Sequence, residues 1–583
     1  MIIIGVSCFY HDAAACLLID GKIVSAAQEE RFTRIKHDKA FPKNAVNFCL
    51  ESNQLSIDKV DLIVFYEKPF IKFDRIINTL QNEAPFTFNL FRKTLLSWFK
   101  TKLWVSSIIK DELHYKGEII YSEHHESHAA GSFFTSPFKD AVIVTIDGVG
   151  EKACTTISVG KGNKVSILKE QHYPHSIGLL YSAFTQYCGF KVNSGEYKLM
   201  GLAPYGKPIY KDLILEHIVS FDDTGLIALN LDCFSFEKGK TTINEKFCKV
   251  FGQPQRGLDS EMTNFYKNIA SSIQEVTEDI IFQLLKHAKN LTGAENLCLS
   301  GGVVLNCKAN GELLGKHLFK NIWVQPASGD AGCAVGAAYV GWYHHLKKER
   351  VYLKNTLNAQ AYLGSSYSNE TIETLLKNYQ LQFNKLDDEA LCETVSKALV
   401  SKQIIGWFQG KMEFGPRALG GRSILASPLF EDMKKHVNLN IKFREGFRPF
   451  APIVLEEDAN SWFNMEGVTS KYMLFTVKSD KKTRIPSCIH EDDTARVQTL
   501  HSQENPLLHQ LITNFKEKTD CPVLINTSFN VRGEPVVESP LNALKCFFYT
   551  KMDVLVLGNY VLEKKENTNP HKALLLTKVY ELD

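Results

Sequence analysis

The sequence predicts an α/β fold in two domains, the first of them internally duplicated. Three observations carry that expectation. A strand–turn–strand–turn–strand pattern occurs once from Ile2 and again from Ala141. Glycine-rich turns follow two short apolar runs, at Ser300-Gly301-Gly302 and at Ser328-Gly329-Asp330-Ala331-Gly332. A charged stretch from Lys347 to about Gln360 has no apolar periodicity and separates this region from a second series of helices and strands.

In the first pattern, Ile2 to Ser7 is an apolar run and Ala13 to Ile19 a second. The Asp20-Gly21 turn leads into Ile23 to Ala27. In the second, Ala141 to Ile146, Ala153 to Val159 and Lys164 to Leu168 are joined by Asp147-Gly148 and by a Gly160-Lys161-Gly162-Asn163 turn. Two such units suggest a duplicated fold with a cleft between halves. Further on, Leu297 to Leu299 and Ile322 to Val324 are strands that open onto the two glycine turns, the second followed by the Ala-rich helix Ala334 to Tyr339. Small residues there let backbone N–H groups approach a phosphate. Past the boundary come the helix Glu389 to Val400 and strands Ile404 to Phe408, Val523 to Ile525 and Val554 to Leu557. The domains are therefore expected at 1–350 and 361–583, with 351–360 as linker. Phe86 to Trp104, aromatic and basic, reads as an inserted helix pair packed on the core in preference to a membrane-surface helix. Glu563 to Pro570 reads as a loose polar tail.

Composition excludes several classes. Across 583 residues the net charge is +2 with no long basic run, which argues against nucleic acid as partner. The 14 cysteines form no CxxC pair and read as free thiols in a reducing cytoplasm. No apolar run reaches the ~20 residues of a membrane span, and no secretory signal opens the chain.

Two constellations carry chemistry. His124-His125-Glu126-Ser127-His128 places His124 and His128 at i and i+4, on one face of a helix, where two imidazoles can grip one metal. Asp147 ends an apolar strand and Asp330 sits in a glycine-flanked turn, both ligand-presenting positions. The set suits Fe(II), Mn(II) or Zn(II); on spacing alone, unrelated surface groups are an equal reading. The second constellation is cationic. Arg417 and Arg422 lie in a Gly/Pro-rich loop, Lys442, Arg444 and Arg448 follow within seven residues, Arg496 comes next, and Asn526 to Asn530 end a strand in hydroxyls and amides. Arginine forks match phosphate oxygens, and these cations stand among glycine, proline and aromatic residues rather than on polar helices.

The segments HHESHAAGSFF, TIDGVGE, GEYKLMGLAPYG, LSGGVVLNC, ASGDAGCAVGAA, FQGKMEFGPRALGGRSIL, IKFREGFRPFAP and INTSFNVRGEPVV, in that order, resemble the O-carbamoyltransferases of antibiotic, nodulation-factor and polysaccharide pathways. The resemblance implies an N-terminal domain of the duplicated actin-like (ribonuclease H-like) ATPase fold and a C-terminal YrdC-like α/β domain. It implies that carbamoyl phosphate and ATP, with Mg, give carbamoyl-adenylate in the C-terminal domain. The N-terminal domain would then pass the carbamoyl group to a hydroxyl of a small-molecule or sugar acceptor and release AMP. Arg417, Lys442, Arg448, Arg496 and Ser528 would form the carbamoyl-phosphate and ATP site, with Thr527 and Asn530 beside it. His124, His128, Asp147 and Asp330 would hold iron. Lys198, Ser300, Gly301, Gly302, Asn306 and Gly329 would cradle the adenylate. His11 matches a position near the acceptor, as general base or as a satisfied turn histidine. A homodimer is open. One departure stands out: Tyr197 separates Glu196 from Lys198 where the family often has Gly-Glu-Gly-Lys. The alternative reading is an actin-fold sugar kinase or ATPase, which would need no arginine cluster.

Overall fold

The structure is a computed structural model and describes all residues except 240, 259, 352–360 and 576–583. The expected linker 351–360, apart from Val351, lies outside the described residues. Two compact units emerge: Met1–Glu29 with His37–Lys354, and Glu30–Lys36 with Asn355–Asp583.

The first unit repeats one sheet. β1 (Ile2–Ser7), β2 (Ala14–Ile19), β3 (Lys22–Gln28), β4 (Leu62–Phe65) and β5 (Glu118–Tyr121) form a sheet in the order β3-β2-β1-β4-β5. β1 and β2 pair antiparallel with Gly5 opposite Cys16, as do β2 and β3, whereas β4 and β5 run parallel to β1. The second copy uses β6 (Asp140–Ile146), β7 (Ala153–Lys161) and β8 (Lys164–His172). After a separate hairpin of β9 (Val219–Phe221) and β10 (Ile227–Leu229) it adds β11 (Asn296–Ser300) and β12 (Asn321–Val324). Its order, β12-β11-β6-β7-β8, repeats the first, with the same antiparallel and parallel pairings. This is the duplicated actin-like arrangement.

The β-branched run Ile2-Ile3-Ile4 explains β1: Ile3, Ile4 and Val6 are fully buried, each worth about 2 kcal/mol of apolar transfer. Gly5 has a different task. A Cβ there would run into the backbone of Ala334 on the helix Cys333–Tyr339. That helix, CAVGAAY, is buried throughout, and its Gly336 lies so close to Ser127 that no side chain fits. Small residues thus bring it against the helix His124–Thr135, which carries the paired histidines.

The second unit is built on one mixed sheet. Its strands are β13 (Asn384–Lys385), β14 (Ile405–Phe408), β15 (Arg422–Ala426), β16 (Ala451–Leu455), β19 (Gln498–Leu500), β20 (Val523–Ser528), β21 (Val554–Leu557) and β22 (Tyr560–Glu563), in the order β13-β22-β21-β14-β15-β20-β16-β19. β17 (Thr476–Lys478) and β18 (Thr494–Arg496) pair separately. The segment Glu30–Lys36 belongs to this unit: Arg34 donates to Glu534 Oε1 at 2.9 Å, Pro535 O at 2.7 Å and Val536 O at 2.6 Å.

Two expectations are corrected. The tail after Glu563 is not loose through Asn567, because Asn567 accepts from Gln382 N at 2.9 Å and donates to Gln382 O at 3.0 Å. The segment Phe86 to Trp104 packs as expected only in part: Thr87 and Trp98 are buried, the latter against the Phe73 ring, whereas the helix Phe88–Ser97 between them has no buried residue. All 14 cysteines are free thiols, and 13 of them are buried. No helix among the described residues is long and apolar enough to cross a membrane.

Candidate functional site

The helix His124–Thr135 starts on a capping box in which Glu123 and Glu126 serve each other's backbone. The Glu151 carboxylate accepts from His124 N at 3.0 and 3.1 Å and from Lys68 N at 2.8 Å, which pins the first turn. One face of that turn carries His124 and His128. Asp147 follows β6, and Asp330 opens the short 3-10 turn after β12, so both emerge at strand ends. The four side chains are buried and meet: each offers one ligand atom, all within 4.8 Å of one another. His124 Nε2 lies 3.1 Å from Asp147 Oδ2 and 3.9 Å from Asp330 Oδ1; His128 Nε2 lies 4.0 and 3.8 Å from the same atoms.

These residues fit a metal. Ligand atoms at bonds of about 2.1 Å around one ion stand roughly 3–4 Å apart. His128 Nδ1 lies 3.2 Å from Ser300 Oγ, which directs its other nitrogen inward. That nitrogen, His128 Nε2, is buried and makes no hydrogen bond, and neither does Asp330 Oδ2. Buried polar atoms are seldom left so. Asp147 is oriented in turn, its Oδ1 accepting from Gly302 N at 2.9 Å. Burial would lower the His124 imidazole, but the Asp147 hydrogen bond and the Asp330 charge carry it up to about 9. Burial would raise the Asp147 carboxyl; the hydrogen bond from His124 and the facing imidazoles hold it well below the usual range.

His125 shares the motif and not the site. Its Nδ1 meets Thr145 Oγ1 at 2.6 Å and its Nε2 meets Ala153 O at 3.0 Å. Burial and the His124 charge push it down to about 3, so it stays neutral. Cys333 is a neighbour the sequence did not single out; with His124 and His128 it forms another group of ligand-atom spacing. Burial and the nearby Asp330 raise its thiol far above the ordinary value, which makes it a poor ligand beside two carboxylates.

His11 joins the edge of the quartet, with Nε2 3.7 Å from Asp330 Oδ2 and Nδ1 2.9 Å from Asp12 Oδ2. Burial works against its charge, but Asp330 and Asp12 outweigh that and carry it up to about 10. Of the residues expected around a nucleotide, Ser300, Gly302 and Gly329 stand against the quartet or next to it in the chain. Gly301, at a φ of 102°, donates to Ser328 O at 2.8 Å. Asn306 is not turned toward the quartet: it caps the helix Cys307–Leu314 and exchanges hydrogen bonds with Gln274 at 3.0 and 3.1 Å. Lys198 is buried on the helix Glu196–Leu202, 6.0 Å from the Phe190 ring.

In the second unit strand order brings the segments that carry the cationic residues to one end of the sheet. β15, β20, β16 and β19 are neighbours, with Ser423 opposite Ser528, Ala451 opposite Asn526 and Ile453 opposite Gln498. The start of β15, the end of β20 and the starts of β16 and β19 therefore share one edge. Arg417 precedes β15, Lys442 and Arg448 precede β16, Arg496 precedes β19, and Thr527, Ser528 and Asn530 close β20. A buried polar ladder ties these loops together: Gln498 Nε2 donates to Leu419 O at 2.8 Å, and Asn526 Nδ2 to Gln498 Oε1 at 2.7 Å and Ala418 O at 3.3 Å. Glu413, missed as a site residue, clamps the Arg417 loop. Its Oε1 accepts from Leu419 N at 2.7 Å, Gly421 N at 2.7 Å and Arg422 N at 3.2 Å.

Two cations of the cluster are consumed by the protein. The Lys442 ammonium is buried and reaches Ser528 O at 2.6 Å, Asn530 Oδ1 at 2.7 Å and Asn530 O at 2.9 Å, with Ser528 Oγ at 3.2 Å. Burial, with Arg444 and Arg448 nearby, lowers it well below the ordinary value. Arg422 is fully buried on the Phe408 ring at 3.6 Å and donates to the carbonyls of Ser365, Gln409, Gly410 and Gly421.

The chain matches the family described as "Carbamoyltransferase N-terminus" over residues 2–339 and "Carbamoyltransferase C-terminus" over residues 396–564. The uncharacterized protein sll1178 of Synechocystis sp. is 45% identical over 100% of both chains. Nodulation protein NolNO of Sinorhizobium fredii is 34% identical over 96% of this chain and 79% of its own. Nodulation protein NolO of Bradyrhizobium diazoefficiens is 36% identical over 76% and 79%. The chain belongs to the carbamoyltransferase family: it is an enzyme that moves a carbamoyl group from a donor to an acceptor.

Proposed function

We propose that this enzyme works by two half-reactions, one in each domain, with the boundary at 351–360. In the domain 361–583, water cleaves carbamoyl phosphate to carbamate and phosphate. Carbamate then attacks the α-phosphorus of ATP, giving carbamoyl-adenylate and pyrophosphate. In the domain 1–350, an acceptor hydroxyl takes the carbamoyl group, and AMP leaves with the phosphate oxygen. Carbamate is short-lived in water, which favours making it beside the nucleotide.

What supports this reading is that two clusters of different chemistry occur in separate units, a buried imidazole–carboxylate quartet in one and a guanidinium-bearing sheet edge in the other. Arg417, Arg448 and Arg496 bind the phosphate groups and stabilise the charge that develops on them, with Mg accompanying ATP. Lys442 acts by fixing the Ser528–Asn530 turn that faces them. In the transfer domain His124, His128, Asp147 and Asp330 hold the metal, with Ser300 and Gly302 N orienting their ligand atoms. When bound, Fe(II), with Mn or Zn as substitutes, supplies a Lewis acid for the adenylate. His11, with Nδ1 held by Asp12 and Nε2 beside Asp330, would serve as general base for the acceptor hydroxyl only once a metal takes up the Asp330 charge that keeps its ring protonated. Ser300, Gly301, Gly302 and Gly329 border the adenylate.

The test separates the half-reactions. Pyrophosphate release should require carbamoyl phosphate and ATP together, without acceptor. Arg417→Ala should abolish it, whereas His128→Ala should spare it and stop only carbamoyl transfer. Equal loss of both steps in both variants would end the two-site reading, and ADP as the nucleotide product would favour a sugar kinase.

A further inference from the structure

From Ala84 to Lys110 the chain carries Arg92, Lys93, Lys100, Lys102 and Lys110 and no aspartate or glutamate. The segment is anchored from one side. Thr87 is buried with its hydroxyl on Leu80 O, and Trp98 is buried against the Phe73 ring at 5.4 Å. The opposite side faces outward. Phe88, Arg92, Leu96 and Phe99 follow at i, i+4, i+8 and i+11 along the helix Phe88–Ser97 and the wider turn Trp98–Lys102. Lys93 and Lys100 flank that stripe, and all six side chains are exposed.

This concentration of aromatics is unlike the rest of the surface. Phe70, Phe86, Phe88, Leu96, Phe99 and Trp104 are each more than half exposed, with Phe86 at 84%. Among the described residues, five of the six exposed phenylalanines and tryptophans fall between Phe70 and Trp104, Phe443 being the sixth. Single exposed apolar residues are ordinary; a contiguous group of them is not. The Trp104 indole donates to Phe99 O at 2.6 Å and keeps its ring outward, one polar end satisfied and the rest apolar.

We infer that this face docks on an anionic lipid bilayer, lying in the interface without crossing it. Aromatic rings would enter the boundary between headgroups and acyl chains, and the exposed Arg92, Lys93 and Lys100 would meet lipid phosphates. The absence of acidic residues selects this occupant. A second copy of the chain would bring Arg92, Lys93 and Lys100 against their like charges, whereas a negatively charged surface complements them.

The test is sedimentation of the full-length enzyme with vesicles. Pelleting should rise about tenfold on vesicles with about 30% phosphatidylglycerol over pure phosphatidylcholine, and should fall on adding salt. The F86S/F88S/F99S variant should lose binding at an unchanged thermal midpoint. R92E/K93E should lose the preference for anionic lipid while keeping adenylate formation. Equal pelleting on both compositions, or wild-type binding by either variant, would overturn the inference. So would a serine variant that converts a dimer to a monomer while neither protein binds vesicles.

Discussion

Glu413→Gln is the substitution that most directly tests how the cationic edge is held. Glu413 touches no candidate substrate position; it acts on the Arg417 loop through three backbone N–H groups. Glutamine keeps a carbonyl oxygen of the same reach, so the bonds persist without their charge. A hydrogen bond to a charged group is worth roughly 1.5–3 kcal/mol against roughly 1 for a neutral pair. Two bonds at 2.7 Å and a longer one at 3.2 Å therefore imply a loss of about 2–3 kcal/mol in holding the loop. Expressed through Arg417, that is about a 30–100-fold fall in kcat/KM for carbamoyl-phosphate-dependent pyrophosphate release. Far-ultraviolet circular dichroism should be unchanged, and transfer from supplied carbamoyl-adenylate should continue at the wild-type rate. Wild-type pyrophosphate release in this variant would refute the clamp, and equal loss of both half-reactions would show a general structural fault instead.

Arg422→Lys should lower stability by about 3 kcal/mol in urea, because an ammonium cannot span the carbonyls of Ser365, Gln409, Gly410 and Gly421. His128→Ala should strip tightly bound transition metal, as read by plasma mass spectrometry. His125→Ala should retain the metal and cost about 2 kcal/mol of stability through its lost bonds to Thr145 and Ala153. Burial raises Glu278 from 4.5 to about 7, so the folded state binds its proton more tightly, and the group's contribution to stability falls as pH rises through that window. Glu278→Gln should therefore gain about 2–3 kcal/mol over wild type at pH 8 and nothing at pH 4; a pH-independent gain would contradict this.

The strands were legible because their signals are local. The apolar runs from Ile2, Ala141 and Leu297 end at turns whose residues leave few alternatives, and the repeat of one order in two sheets follows from them. The i, i+4 spacing found His124 and His128 because a helix puts that spacing on one face. The same reasoning is silent on His125, whose partners Thr145 and Ala153 belong to strands distant in sequence. Likewise, charge and context suggested that Arg417, Lys442, Arg448 and Arg496 cluster, and strand order brings the segments that carry them to one end of the sheet. What no pattern reveals is how many carbonyls fold around a given cation. Arg422 and Lys442 carry the same charge in the sequence as their neighbours; only the closed chain shows them spent on the fold. The assignment of Glu30–Lys36 to the second unit has the same origin, resting on Arg34 and the Glu534–Val536 turn five hundred residues away.

The aromatic segment shows the opposite failure. The near-helical spacing of aromatics between Phe86 and Trp104 leaves two readings open, a helix pair packed on the core and a membrane-surface helix, and the first is the one preferred from sequence. Apolar patterning reports that a surface avoids water; it does not say whether protein or lipid covers it. The deciding sequence feature is the missing one, the absence of any carboxylate from Ala84 to Lys110. Packing against a protein core is indifferent to that absence, since the charges point outward either way. Association with an anionic surface is not, because one aspartate among those lysines would cancel part of the attraction. An Asn89→Asp substitution, on the exposed side of the helix, should therefore leave the fold and adenylate formation intact and weaken binding to phosphatidylglycerol vesicles severalfold. Unchanged binding would mean that charge has no part in docking this face.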